Sequence, residues 1–169
     1  VCFDAYLWGY RSALFMTPTR LVILAGAGSL SLLIGALLFQ YVGEMPPCKM
    51  CYWQRYPHVL AVLVALLFIL THLEILKLAG LIASLSTAVI GAYHAGVEQG
   101  WWEGPQSCTP GSIAGLSTDD LLAQIMAAPM VRCDEIPFQL LNISMAGWNM
   151  LVSVALAGFW LIALRQKTT

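Results

Sequence analysis

Long apolar runs dominate the chain, and its polar residues gather between them. Four runs, 21–42, 57–73, 78–94 and 143–164, approach or reach the roughly 20 residues that a helix needs to cross a hydrocarbon core. The second and third are short and must draw on amphipathic residues such as Tyr56, His72 or Tyr93 at their ends. The pattern predicts an all-α membrane protein, a four-transmembrane-helix bundle forming one integral membrane domain over residues 1–169. The first run is longer than the h-region of a secretory signal, about 7–15 residues, and no small-residue cleavage site follows it. It is therefore expected to be a retained span.

Four spans leave two loops on one face, 43–56 and 95–142, and put both termini and the turn 74–77 on the other. Arg11, Arg20, Lys77, Arg165 and Lys167 lie on the terminus side, against Lys49, Arg55 and Arg132 on the loop side. The positive-inside rule then places both termini in the cytoplasm. Rows of small residues four apart, Ala27, Ser31 and Gly35 in the first span and Ala79, Ala83, Thr87 and Gly91 in the third, are expected to let helices approach closely. No charged residue occupies the middle of a span, which argues against an ion pathway or proton relay. Within the second loop, residues 118–126 carry Leu121, Leu122, Ile125 and Met126 on one helical face. They predict a short helix, capped by Thr118 or Asp119, that lies on the bilayer surface or packs against the rest of the loop.

Composition narrows the class further. The chain is 59% apolar and only 10% charged, whereas soluble domains average about 45–50% and about 25%. A soluble globule would lack the polar side chains to cover itself, and 11% aromatic content is the opposite of the disorder signature. Eight basic residues scattered among nine acidic ones make no nucleic-acid-binding stripe.

Four of the five cysteines fall in the two loops, Cys48 and Cys51 in the first and Cys108 and Cys133 in the second. Cys2 falls on the other side and reads as a free thiol. Three chemistries suit the loop pairs. Two static disulfides would brace the loops, although the Cys48–Cys51 ring is too small to restrict much chain entropy. A four-thiolate zinc site is allowed, but such sites usually join two C-x-x-C knuckles, and Cys108 and Cys133 stand 25 positions apart. A redox centre would cycle the C-x-x-C dithiol and use the distal pair as a separate exchange station.

Local context favours the redox chemistry. Pro46 and Pro47 set an extended lead into the second span, which puts Cys51 at or near a helix N-terminus. There the unpaired N–H groups and the helix dipole favour thiolate over thiol. Arg55 follows four residues later, on the same face if the helix has begun, where its charge would act on Cys51 or hold an anionic partner. As a plainer alternative it would anchor lipid headgroups. Pro57 works against this geometry, because it disfavours helix at Tyr56 outside a first turn.

The run Cys48-Lys49-Met50-Cys51-Tyr52-Trp53-Gln54-Arg55-Tyr56-Pro57 resembles the bacterial disulfide bond formation protein B (DsbB) family. The resemblance continues through Tyr93-His94-Ala95-Gly96-Val97-Glu98, the pair Cys108 and Cys133, and Ser144-Met145-Ala146-Gly147-Trp148-Asn149. Vitamin K epoxide reductase relatives share the chemistry, but their membrane C-x-x-C follows the loop pair in chain order, and here it precedes it.

What the resemblance implies is a multi-pass enzyme of the bacterial inner membrane. It would reoxidise a periplasmic thioredoxin-like dithiol oxidase (DsbA-like) and pass two electrons to a quinone, ubiquinone or menaquinone. In that scheme the partner thiolate attacks Cys108 and releases Cys133, and the Cys48 and Cys51 pair reoxidises the loop pair. Cys51 faces the quinone, Arg55 polarises it, and His94 lies on the quinone side or serves as a hydrogen-bonded packing residue. A quinone supplies the drive for making an oxidising disulfide, where about 30 mV in a two-electron couple is worth roughly 1.4 kcal/mol. Aromatics near the loop ends, Tyr52, Trp53, Trp101, Trp102 and Trp148, suit the interface. The rival class is a non-enzymatic membrane scaffold with zinc-bound or static disulfide-braced loops. A third possibility is a thiol oxidase serving a dedicated substrate.

Overall fold

The computed structural model describes residues 16–105, 108, 117–127 and 131–167. Cys2 and Arg11 lie outside the described residues. Four helices are long and apolar enough to cross a membrane: α1 (Pro18–Tyr41), α2 (Lys49–Thr71), α3 (Ile75–Glu98) and α5 (Met145–Leu164). Between α3 and α5 lie the short helix α4 (Thr118–Ala127) and a hairpin of β1 (Gln139–Leu140) and β2 (Ile143–Ser144). The expected four-helix membrane architecture is borne out.

Each element ends where its local chemistry dictates. Thr17 caps α1 by accepting from the Arg20 N–H, and Pro18 follows at the first helical position, where its missing donor costs nothing. Residue His72, in the left-handed region with φ 53°, closes α2 before the turn into α3. The hairpin pairs Gln139 with Ser144 and Leu140 with Ile143, and its two loop residues, Leu141 and Asn142, both take positive φ. Ser144 then caps α5 by accepting from the Gly147 N–H at 3.1 Å. The cap of α4 is Ser117, whose Oγ accepts from the Asp120 N–H at 3.2 Å and donates to its carboxylate, and not Thr118 or Asp119. Leu122 and Met126 on α4 are exposed.

Two span boundaries move substantially. Helix α2 starts at Lys49 and not at 57, running unbroken through Pro57, and α3 extends to Glu98 and not to 94. An interior proline removes one helical hydrogen bond, which a bundle can absorb. The consequence is that the C-x-x-C segment and Arg55 belong to a helix instead of a loop. The turn also shortens, because Ile75 to Lys77 are helical and the Lys77 side chain is fully buried. Its ammonium donates to Glu74 Oε2 at 2.7 Å and to the Gln166 carbonyl at 2.8 Å, and lies 5.4 Å from the centre of the Phe68 ring.

Small residues decide how closely the helices approach. In α3, Ala83, Thr87 and Gly91 are buried, and a Cβ at Gly91 would lie 3.1 Å from Met150 N and 3.2 Å from the Ala146 carbonyl oxygen of α5. That row packs as its spacing predicts. The α1 row does not, since Ala27 and Ser31 are exposed. The packed face of α1 is Leu21, Val22, Ala25, Gly26 and Ser29, and a Cβ at Gly26 would fall 2.6 Å from Ala65 Cβ of α2. Together with Val64, Phe68, Trp160 and Ala163, the residues Leu21, Val22, Ala25 and Ala65 form an apolar core near the α2–α3 turn. The outward faces keep large apolar side chains such as Leu70, Ile82 and Val89 exposed, as helices facing hydrocarbon require.

Candidate functional site

At the opposite end of the bundle the cysteines come together. Cys108 and Cys133 form a disulfide with a Cα separation of 5.4 Å, and both are fully buried. Cys48 and Cys51 are free, with their sulfurs 2.7 Å apart. Only one of the two static disulfides weighed above is therefore present among the described residues. The sulfurs of Cys48 and Cys133 and a ring nitrogen of His94 all lie within 4.8 Å of one another. Met50, Val97 and Val131 pack around the two pairs, with Cys48, Cys108 and Cys133 buried and Cys51 half-buried. The second loop thus already carries Cys133 to Cys48 with its own disulfide intact.

Helix α2 begins on a sulfur. Cys48 is its N-cap, and Sγ accepts the Cys51 N–H at 3.1 Å, so the pair sits on the first turn, where backbone N–H groups point outward. The hydrogen bond with Cys51, together with burial, pushes the Cys48 thiol well above the usual thiol range. Cys48 therefore holds its proton while Cys51 lies beside it.

Arg55, one turn beyond Cys51, reaches across to α1. Its Nη1 donates to Gln40 Oε1 at 2.6 Å and its Nη2 to the Ala36 carbonyl at 3.3 Å, with the guanidinium carbon 5.2 Å from the Tyr52 ring centre. Beside these groups lies a cavity of about 630 Å³ bounded by α1, α2, the end of α3, α5 and both loops. Its walls include Cys48, Cys51, Arg55 and His94 with apolar Leu32, Leu33 and Phe39. Ser31 and Gly35, left off the packing face of α1, line this cavity instead.

His94 faces two ways. One ring nitrogen, Nε2, is 3.6 Å from Cys48 Sγ and 3.8 Å from Glu98 Oε1, and Nδ1 is 2.8 Å from Gln54 Nε2. Behind it runs a buried polar cluster that joins residues distant in the sequence. Asn149 of α5 donates to Gln54 Oε1 at 2.8 Å and to Thr87 Oγ1 at 3.1 Å, and its Oδ1 lies 2.9 Å from His58 Nε2. Gln54 and His58 are four apart on α2, a spacing that puts both on one face and was visible in the sequence.

Near Cys133, Arg132 forms a two-point ion pair with Asp134, at 3.0 and 2.5 Å, and a looser one with Glu135 at 3.3 Å. The Arg132 guanidinium holds the Asp134 carboxyl below the usual carboxylate range.

A bundle of four membrane helices that docks a loop disulfide against a free cysteine pair defines a class, the integral membrane proteins of thiol–disulfide chemistry. The profile of the family described as Disulfide bond formation protein DsbB matches residues 18–163, and the chain belongs to that family. It is similar to proteins named Disulfide bond formation protein B from Polaromonas sp., at 30% identity over 86% of this chain and 90% of that one, and from Shewanella frigidimarina, at 28% over 96% and 91%. It is also similar to an uncharacterized protein of Rickettsia prowazekii, at 26% identity over 73% of this chain and 74% of that one. No solved structure matches. The protein is accordingly a multi-pass membrane protein of disulfide bond formation.

Proposed function

We propose that this protein is a thiol oxidase of the bacterial inner membrane, with both termini cytoplasmic, that reoxidises a periplasmic thioredoxin-fold dithiol protein (DsbA-like) at the expense of a membrane quinone. The observation that carries the reading is the approach of the Cys108–Cys133 disulfide to the Cys48 and Cys51 pair beside a cavity lined by Arg55.

The thiol steps balance as two exchanges. A partner thiolate attacks Cys108 Sγ, breaking its bond to Cys133, which leaves as a thiolate. The partner's second thiolate attacks its own sulfur in that mixed disulfide, so the partner departs oxidised and Cys108 is reduced. Cys133 then attacks Cys48 of an oxidised Cys48–Cys51 pair and displaces Cys51, and Cys108 resolves the Cys133–Cys48 bond. The loop disulfide is restored, and two electrons reside on Cys48 and Cys51. That end point is the arrangement described above, with an intact loop disulfide and a free pair. Because Cys108 is only 1% exposed in it, the loop must lift from α2 before a partner can attack.

The cavity fits a quinone in the chemistry of its walls, apolar along α1 and cationic at Arg55. Ubiquinone or menaquinone, when bound, would supply a two-electron acceptor. On the protein's side, Arg55 offers a fixed guanidinium for a developing negative charge, and Gln40 and the Ala36 carbonyl hold it in place. Cys51 presents its sulfur to the cavity. The scaffold reading with zinc is disfavoured chemically, since Cys133 is bonded to Cys108 and cannot ligate as a thiolate.

Protein reconstituted in liposomes should bleach quinone absorbance when given a reduced thioredoxin-fold dithiol, and Cys51→Ser should bring turnover to background. Undiminished turnover in that variant, or stoichiometric bound zinc, would reject the reading. A partner lacking its second cysteine should be trapped on Cys108, and the identity of the trapped protein separates a general oxidase from one with a dedicated substrate.

A further inference from the structure

The buried polar cluster has a direction. Thr87 Oγ1 donates its one hydrogen to the Gln54 carbonyl at 3.1 Å, so toward Asn149 and His58 it can only accept. The Asn149 group 3.1 Å from Thr87 is therefore the amide nitrogen, which also donates to Gln54 Oε1. Gln54 must then turn its own amide nitrogen the other way. The Met50 carbonyl, 3.3 Å from Gln54 Nε2, requires the same orientation independently. Gln54 Nε2 consequently donates to His94 Nδ1 at 2.8 Å, which leaves the proton of a neutral His94 on Nε2, facing Cys48 Sγ at 3.6 Å with Glu98 Oε1 farther off at 3.8 Å. On the far side, His58 Nε2 meets two acceptors, Asn149 Oδ1 at 2.9 Å and Thr87 Oγ1 at 3.2 Å, and so carries its proton there. Its Nδ1 is buried without a partner.

We infer that His58, Asn149, Gln54, His94 and Cys48 form one hydrogen-bond chain with every donor pointing the same way, ending on the Cys51 sulfur. The last link is the 2.7 Å Cys48–Cys51 contact: Cys51 is half-buried at the cavity wall one turn from Arg55 and so takes the negative charge, which leaves the S–H of the buried Cys48 as the donor. His94 in this arrangement is a fixed N–H donor and not a proton acceptor for Cys48. Gln54, Asn149 and His58 are positioning residues: none touches Cys51, yet together they decide which ring nitrogen of His94 faces the redox pair. Chains of this kind polarise their members cooperatively in a low-dielectric interior. The effect is a cysteine at the cavity wall whose thiolate is stabilised.

The inference deepens the proposed function, in which Cys51 delivers the electrons, but its test uses neither quinone nor partner. Its failure leaves the oxidase reading standing, and failure of quinone turnover leaves the proton positions unaffected. Nitrogen-15 NMR of histidine-labelled protein should show His94 protonated on Nε2 with Nδ1 bare. In Gln54→Met and in Asn149→Leu, the Nδ1-protonated form should appear. Iodoacetamide alkylation at Cys51, in which sulfur displaces iodide, should slow about tenfold at neutral pH, the worth of one hydrogen bond to a charged group. A wild-type His94 protonated on Nδ1 overturns the inference, whether or not the variants fold. So does a Cys51 alkylation rate within twofold of wild type in folded protein of both variants.

Discussion

The two ends of the bundle are held together by different forces. Near the α2–α3 turn, Phe68 and Trp160 are fully buried against Val22, Ala25, Ala65 and Ala163, with small residues opening space for large ones. A Cβ at Gly80 would fall within the Trp160 indole. Near the loops, the same helices meet through side-chain hydrogen bonds among Gln54, Thr87, Asn149 and His58, beside a cavity of about 630 Å³. In lipid, dispersion packing suffices to join helices, so buried polar groups are not needed for association alone. Where they appear together with open volume, chemistry is the economical explanation.

Three perturbations test that division. The largest effect is expected from Cys133→Ser, which should abolish dithiol-driven turnover while leaving the helical circular dichroism and cooperative unfolding of the bundle intact. Loss of both together would mean that the loop disulfide holds the bundle as well as the site. Next, Trp160→Ala should cost about 3–5 kcal/mol of stability in detergent unfolding, as large aromatic deletions from cores do. Because it lies at the other end, its Cys51 alkylation rate should stay at the wild-type value, and a slowed rate would show that the two ends are not separable. The smallest effect concerns Asp134. Its carboxyl has a lower pKa in the folded loop than the ordinary 3.8, so the Arg132 pair stabilises the loop above that pH and the gain is lost as pH falls through the lower folded value. Amide exchange across residues 131–135 should accordingly differ between wild type and Asp134→Asn at pH 6, and the difference should shrink progressively as pH falls below 3.8. Because Arg132 is exposed, the difference should be slight.

Hydrophobic runs made the four spans legible, because each helix must be apolar wherever lipid surrounds it. They did not show where helices end, since α2 and α3 project beyond the apolar runs into segments covered by the second loop. Pro57 counted against helix in a local rule, yet the helix continues through it. In α1 the pattern of small residues predicted the wrong face, because Ser31 and Gly35 make room for a cavity and not for a neighbour. The C-x-x-C pair, Arg55 and the distal cysteines stood out in sequence because their residue types are chemically uncommon in such a chain. Gln54, His58 and Asn149 did not, since their meaning arises only when residues 95 positions apart touch. A polar pair four residues apart within a span, Gln54 and His58, was the available signal.

One detail of the site links oxidation state to secondary structure. The first turn of α2 is capped by Cys48 sulfur, and not by the oxygen of a serine or aspartate. In the proposed cycle Cys48 alternates between thiol and disulfide, so the sulfur that anchors the opening turn of the helix would change its bonding at each turnover. Electron arrival and departure in that cycle would be felt at the α2 N-terminus, at the place where the second loop docks. On that reading the helix start would be a mechanical gauge of redox state, built from the same atom that carries the proposed chemistry.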